Sequence, residues 1–405
     1  MHVFTSITAN YLPKARVLAH SLKKFHPEAK FHLVLSDEVP ATLKQEPAPF
    51  DSIITINELP IRDREAWIFK HTLVELCTAV KGFAFQEIVK RHKAAKVFYF
   101  DPDMVIMSRL DHLLEKLDQS SVLLTPHQTQ PETNLEAIVD NEICSLKHGV
   151  YNLGFLAIRT SPEGLRFINW WADRLAEFCY DDIPGGIFTD QRWVDLAPGF
   201  FEDIGIVRHP GCNVATWNLT HRTATGSLKE GIKMNGIPLI FYHFSGFDSG
   251  AQEAMLKKYG SSSPVLFELR DWYIAECEKF GQTDQGKIPC AYNLFDNKVP
   301  IAKHHRVLYR KRKDLQNAFK NPFATAEKNS SYYNWYVANV ENGSGTDSEE
   351  HNLMNLQQQV KDLRQELSLI RKNWLRWRIS RTYSKLVKHF RKQPGTAAPV
   401  TNEGR

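Results

Sequence analysis

The first 110 residues alternate two hydrophobic periodicities. Residues 2–8 form a short apolar and β-branched run, and 14–25 set Ala15, Leu18, Ala19 and Leu22 at helical spacing. Strands are expected at 31–35 and 52–56, a long helix at 72–91, and a strand at 96–100 that stops at Asp101-Pro102-Asp103. Strands separated by helices predict an α/β fold, with a mainly parallel, Rossmann-like sheet flanked by helices. No Gly-rich dinucleotide fingerprint follows the first strand, where Ser6-Ile7-Thr8-Ala9-Asn10-Tyr11 stands instead.

Residues 104–117 leave a strand and enter a helix, 121–125 read as a strand, and 149–159 contain a further apolar run. A periodic helix follows over 162–179. From Asp181 turn signals such as Pro184-Gly185-Gly186 and Asn235-Gly236 dominate, before a late strand at 237–244 and a helix at 264–280. Residues 281–348 read as an irregular extension. Leu353, Leu356, Val360, Leu363, Leu367, Ile370, Trp374 and Trp377 then repeat at alternating spacings of three and four, which predicts a coiled coil over 349–377. A basic amphipathic helix over 371–393 and a disordered end over 394–405 complete the division, with 1–280 as the main domain.

Composition changes this picture in one respect. The 405 residues carry 51 Lys/Arg against 46 Asp/Glu, but Asp347–Arg405 holds 12 of the bases and 6 of the acids. The basicity therefore lies in the tail, and the near-neutral body argues against a nucleic-acid-binding surface there. Six scattered cysteines without a Cys-x-x-Cys pair fit reduced core thiols better than a zinc ribbon. Met1–Thr5 lacks the pattern of a secretory leader, and no window is apolar enough to span a bilayer. A cytoplasmic location is expected, peripheral on the inner face of the membrane.

Asp101-Pro102-Asp103 is the sharpest chemical feature. Two carboxylates at the carboxyl end of a strand can face one hard divalent cation and leave positions for phosphate oxygens. Asp-Pro also simply ends strands, so the pattern alone leaves both readings open. Further residues follow in an order that resembles the retaining GT-A nucleotide-sugar glycosyltransferases of the glycogenin and lipopolysaccharide galactosyltransferase type (glycosyltransferase family 8-like). The resemblance covers about residues 1–248.

By that resemblance, Ile7, Thr8, Asn10 and Tyr11 hold the donor's base and ribose. Lys81 lies near the diphosphate and sugar, and Asn152-Leu153-Gly154 forms a sugar-binding turn. Asp190-Gln191 stand at the reacting carbon, with Gln191 as a dipole opposite the leaving group. His243, in Tyr242-His243-Phe244-Ser245-Gly246, joins Asp101 and Asp103 on Mn²⁺ or Mg²⁺, and Gly246 closes on the donor. Each has a plainer alternative: Asp190 as a helix N-cap, His243 as a core histidine, Lys81 as a solvated helix end. The resembled family places a lysine after the glycine, whereas Phe247-Asp248-Ser249 stand here. Lys81, the metal, or His221-Arg222 would compensate. A block from His209 to Asn218 reads equally as a donor or acceptor loop and as a rigid wall.

The implied activity is metal-dependent transfer of a sugar from a nucleotide diphosphate donor, UDP-linked, to a glycan or lipid-linked acceptor, with retention. A noncatalytic nucleotide-sugar-binding or glycan-binding scaffold and a sugar nucleotidyltransferase are the rivals. The heptads suggest a homo-oligomer. The basic segment, where Trp374, Trp377 and Phe390 interleave with nine cations, suggests attachment to an anionic membrane surface.

Overall fold

The computed structural model describes residues 1–326, 331–343, 346–360, 362–363 and 367. They fall into two units, Met1–Tyr333 and Asn334–Arg405. The first unit is mixed α/β. Its strands β1 (His2–Ile7), β2 (Lys30–Leu35), β3 (Ser52–Thr55), β4 (Lys96–Phe100), β6 (Val122–Pro126) and β7 (Tyr151–Arg159), with Ile204–Ile206, form one seven-stranded sheet. The order runs from Ile204–Ile206 through β6, β7, β4, β1 and β2 to β3. All neighbours are parallel except β7, which runs antiparallel to both β4 and β6. The short β5 (Met104–Ile106) instead pairs antiparallel with the strand Phe241–His243.

Both faces of the sheet are covered, so its strands are mostly apolar and buried on both sides rather than strictly alternating with exposed polar residues. Phe4, Val97, Tyr99 and Leu124 pack on one face, while Val3, Phe98, Phe100 and Leu123 pack on the other. On the first face the helix Lys81–His92 lies against Pro162–Phe178. A β-carbon at Gly82 would come 2.6 Å from Ala172 Cα, so the crossing needs glycine. The second helix starts at Ser161, whose Oγ accepts the Gly164 N–H, with Pro162 in its first turn. On the opposite face lies α1 (Leu12–Phe25).

Four local readings change. The helix over 72–91 is two, Leu73–Ala79 and Lys81–His92, broken at Val80. The first opens with a capping box in which Glu75 accepts the Thr72 N–H. The run 237–244 is two strands in different sheets, Ile237–Pro238 against a hairpin and Phe241–His243 against β5. Asn152-Leu153-Gly154 lies inside β7 rather than in a turn, because both neighbours pair with that strand. The stretch after 280 contains the helices Lys303–Lys311 and Lys313–Ala318, the first of which buries Arg306 and Tyr309.

The described residues of the second unit include a helical run over 346–360. Leu353, Leu356 and Val360 in that run, and Leu363 and Leu367 beyond it, are about half exposed, at 48–58%. Ile370, Trp374, Trp377, the basic segment 371–393 and the end 394–405 lie outside the described residues. Among the described residues no helix is long and apolar enough to cross a membrane.

Candidate active site

Asp101 follows β4 directly, and Pro102 and Asp103 turn the chain into β5. The antiparallel pairing of β5 with Phe241–His243 sets His243 opposite Met104 and so beside Asp103. His243 Nε2 lies 3.1 Å from Asp103 Oδ1 and 3.8 Å from Asp101 Oδ2. Asp101, Asp103 and His243 each offer one ligand atom, all within 4.8 Å of one another. Two carboxylate oxygens and one imidazole nitrogen suit a divalent cation that prefers oxygen ligands, and three protein ligands leave coordination positions free.

The neighbours of His243 fit that role. Its Nδ1 lies 3.2 Å from Asn152 Oδ1. An amide oxygen only accepts, so Nδ1 carries a proton and Nε2 is the nitrogen left to face the carboxylates, where a cation would take its lone pair. A β-carbon on Gly154 would come 2.7 Å from His243 Cε1 and 2.6 Å from Met104 Cε, so the ring fits only against glycine. Trp217 closes the other side, edge-on at 5.4 Å. Burial acts to lower the His243 pKa, but Asp103 and Asp101 raise it above its ordinary value. Burial acts to raise Asp103, which His243 and then Lys14 hold below the usual carboxylate range.

A cavity of about 360 Å³ opens beside this cluster, lined among others by Lys81, Asp101, Asn152, Gly154, Asp190, Gln191 and His243. Lys81 is almost wholly buried. Its ammonium bonds Asp190 Oδ2 at 2.8 Å and Leu153 O at 3.0 Å, reaches Asp101 Oδ1 at 3.4 Å, and sits 4.1 Å over the Tyr99 ring. Burial acts to lower the Lys81 pKa, and Asp101 and Asp190 together raise it. Burial lifts the Asp190 carboxyl above its ordinary value although Lys81 pulls the other way. The Asp190 side chain makes no helix cap. Its neighbour Thr189 holds φ at +43°, a left-handed conformation that costs a β-branched residue about 1–3 kcal/mol. That strained residue sits where the chain turns Asp190 toward Lys81.

Gln191 lines the cavity, but its amide is already engaged. Oε1 accepts the Leu153 N–H at 3.0 Å and Nε2 donates to His148 O at 2.9 Å, tying β7 to the preceding helix end. Ile7, Thr8, Asn10, Tyr11, Asp103 and Gly246 are not among the lining residues. Ile7 is core, and Thr8 Oγ1 donates to Asn10 Oδ1 at 2.6 Å. Gly246 takes φ +75° just after the lining residue Ser245.

Neither residue of His221-Arg222 is free to replace the missing lysine. Arg222 is buried with its guanidinium on Cys212 O, and His221 Nε2 lies 3.4 Å from the Glu132 carboxylate. The block 209–218 braces the His243 strand: the His243 N–H donates to Val214 O and the Ile240 N–H to Gly211 O. Only Trp217 of that block lines the cavity.

Sequence reading missed His127, Lys14 and Asp248. His127 lines the cavity between Trp217 and Asn152, and burial pushes its pKa down to about 4. A lone histidine beyond a strand carries no motif that would have found it. Lys14 and Asp248 stand 234 positions apart and share no local pattern.

No family model matches the chain. It is 26% identical over 315 residues to the uncharacterised protein YfnF of Bacillus subtilis (strain 168), covering 75% of this chain and 93% of YfnF. It is also 25% identical over 251 residues to the uncharacterised protein YfnD of that organism, covering 61% of this chain and 78% of YfnD. Among solved structures it is similar to the galactosyltransferase LgtC in complex with donor and acceptor sugar analogues. That likeness has 15% identity and a TM-score of 0.39, over 65% of this chain and 96% of LgtC. The glycosyltransferase GlyE of Streptococcus pneumoniae TIGR4 matches at 14% and 0.39, over 73% of this chain and 66% of GlyE. Mouse xyloside xylosyltransferase 1 matches at 16% and 0.35, over 60% of this chain and 97% of that enzyme. These likenesses are weak, and the chemistry of the site rests on its own geometry.

Proposed function

We propose that the chain is a metal-dependent glycosyltransferase of the GT-A, glycogenin-like type, acting on a nucleotide diphosphate sugar. The observation that carries this reading is the convergence of Asp101, Asp103 and His243 beside the buried Lys81–Asp190 pair. Asp101, Asp103 and His243 would hold Mn²⁺ or Mg²⁺, and a divalent cation there would neutralise a diphosphate leaving group. The carboxylates of Asp101, Asp103 and Asp190 outnumber the Lys81 ammonium, which favours a bound cation.

The chain's own residues would then position the donor. Asp190, fixed by Lys81 and by Thr189 Oγ1 at 3.1 Å, would accept hydrogen bonds from sugar hydroxyls in a reactive pose. Gln191 and Asn152 would keep β7 and His243 in register beneath the sugar. The turn from Ile7 to Tyr11, through Thr8 and Asn10, would take the base and ribose, with Gly246 in the loop across from it.

Retention is the stereochemistry we favour. An inverting reaction needs a free general base near the acceptor, such as a carboxylate. Of the lining carboxylates, Asp101 belongs to the metal cluster and Asp190 is bound by Lys81. Asp140 is held by Lys258 at 2.5 Å and Tyr259 at 2.8 Å. A glycan or lipid-linked acceptor, a homo-oligomer through the heptads, and peripheral attachment through the basic tail complete the proposal.

A thermal-shift screen of UDP-, GDP- and dTDP-sugars with and without MnCl₂, followed by a UDP-release assay, tests it. Stabilisation by a UDP-sugar that requires Mn²⁺, and loss of release in Asp103→Ala, are the expected results. A chain that no nucleotide sugar stabilises would overturn the reading.

A further inference from the structure

Lys14 lies in the first turn of α1, and its side chain is only 2% exposed. A cation there opposes the helix dipole, and burying an ammonium costs more still. Both costs are offset by one partner. Both oxygens of Asp248 lie 2.6 Å from Lys14 Nζ, and one of them accepts the Tyr11 hydroxyl at 2.5 Å. The ammonium also sits 4.2 Å over the Tyr11 ring and 5.5 Å from the centre of the Phe247 ring.

The two members of this pair differ sharply. Lys14 is built into the body, whereas Asp248 is half exposed at 51% on a short loop. Gly246 and Gly250 bound that loop, both at φ +75°, a conformation open to glycine at little cost. The loop begins three residues beyond His243, directly after Ser245, which lines the cavity. The field of Lys14 reaches Asp103, and that of Asp103 reaches Tyr11, so all three share one electrostatic neighbourhood with the metal cluster.

Other cations near the cluster are committed. Lys81 is saturated by Asp190, Leu153 O and Asp101, and Arg222 is turned to Cys212 O. We propose that Lys14 is the donor-phosphate cation of this chain, and that Asp248 is an internal counter-ion that occupies Lys14 until the nucleotide displaces it. This deepens the glycosyltransferase reading and rests on it. The carboxylate is a stand-in for a phosphate oxygen: an anion on the same ammonium, carried by a half-exposed side chain that can turn to solvent while Phe247 stays packed on Phe244 and Tyr273. Donor binding then exchanges one ion pair for another, and Tyr11 is released from Asp248 in the same step.

Isothermal titration of UDP in MnCl₂ into the full chain tests the exchange, with melting curves run beside each variant. Asp248→Asn removes the competing charge from an exposed position. A latch closed about nine-tenths of the time weakens apparent affinity about tenfold, so this variant binds UDP about tenfold more tightly. Lys14→Met binds it roughly tenfold more weakly, and in the Lys14→Met background Asp248→Asn changes nothing. UDP affinity that is unchanged or lower in Asp248→Asn overturns the latch while leaving the proposed reaction in place. Absence of UDP binding by the unmodified chain overturns both.

Discussion

His243 rests its Nδ1 3.2 Å from Asn152 Oδ1, which commits the ring's other nitrogen to the carboxylate of Asp103. The amide is therefore placed to orient the imidazole, besides any contact with the sugar that sequence reading expects of Asn152. Removing such a supporting partner lowers metal affinity about 10–100-fold in comparable sites. Asn152→Ala is expected to weaken Mn²⁺ binding by that order while the chain still folds. Mn²⁺ titration followed by electron paramagnetic resonance checks this, and wild-type affinity would separate Asn152 from the metal.

Lys81 and Asp190 are buried together, so neither is tolerated alone. Lys81→Met strands the Asp190 carboxylate and is expected to cost about 3–5 kcal/mol of stability. Adding Asp190→Asn removes the stranded charge and restores part of that loss. Urea unfolding of the two single variants and the double variant measures the coupling. Additive losses in the double variant would contradict it.

Acid sensitivity has a source far from the site. His32 is buried with its Nε2 2.9 Å from His2 Nδ1 and its ring 4.6 Å from that of His92. Burial first, then His92 and His2, lower its pKa to about 3. An unfolded histidine titrates near ~6.5, so the unfolded chain binds more protons between those values. Stability is full above about pH 6.5 and falls as pH drops toward 3, by about 2 kcal/mol at pH 5 from this residue. His32→Gln is expected to narrow the gap in unfolding free energy between pH 7 and pH 5. Part of the gap remains, since buried His71 and His127 are also lowered to about 4. An unaltered gap would exclude His32 as a contributor.

The exposed stripe of Leu353, Leu356, Val360, Leu363 and Leu367 follows the heptad positions. Such a stripe is stable in water when another helix covers it. Leu356→Glu combined with Leu363→Glu is expected to reduce an oligomer to monomers without changing the melting temperature of the first unit. Light scattering after size exclusion reads this directly. The same mass for both chains would rule out a seam on these residues.

The elements legible in the sequence are those whose cause is local. Val97, Phe98, Tyr99 and Phe100 announce a buried strand, and Asp101-Pro102-Asp103 announces its end, because apolar periodicity and proline act over a few residues. The mainly parallel sheet followed from strands alternating with helices. The direction of β7 did not, since an apolar run of nine residues reads the same in either orientation.

What only the tertiary structure decided are the pairings across long separations. The register of β5 against Phe241–His243 brings the imidazole to the carboxylates, and a one-residue slip would turn His243 to the opposite face. Lys81 carries the same charge whether it solvates a helix end or is buried against Asp190, so its sequence position left both open. Lys14 and Asp248 meet because the tertiary fold brings the first turn of α1 against the loop after His243. Charge pairing depends on distance in space, and local pattern carries no record of it.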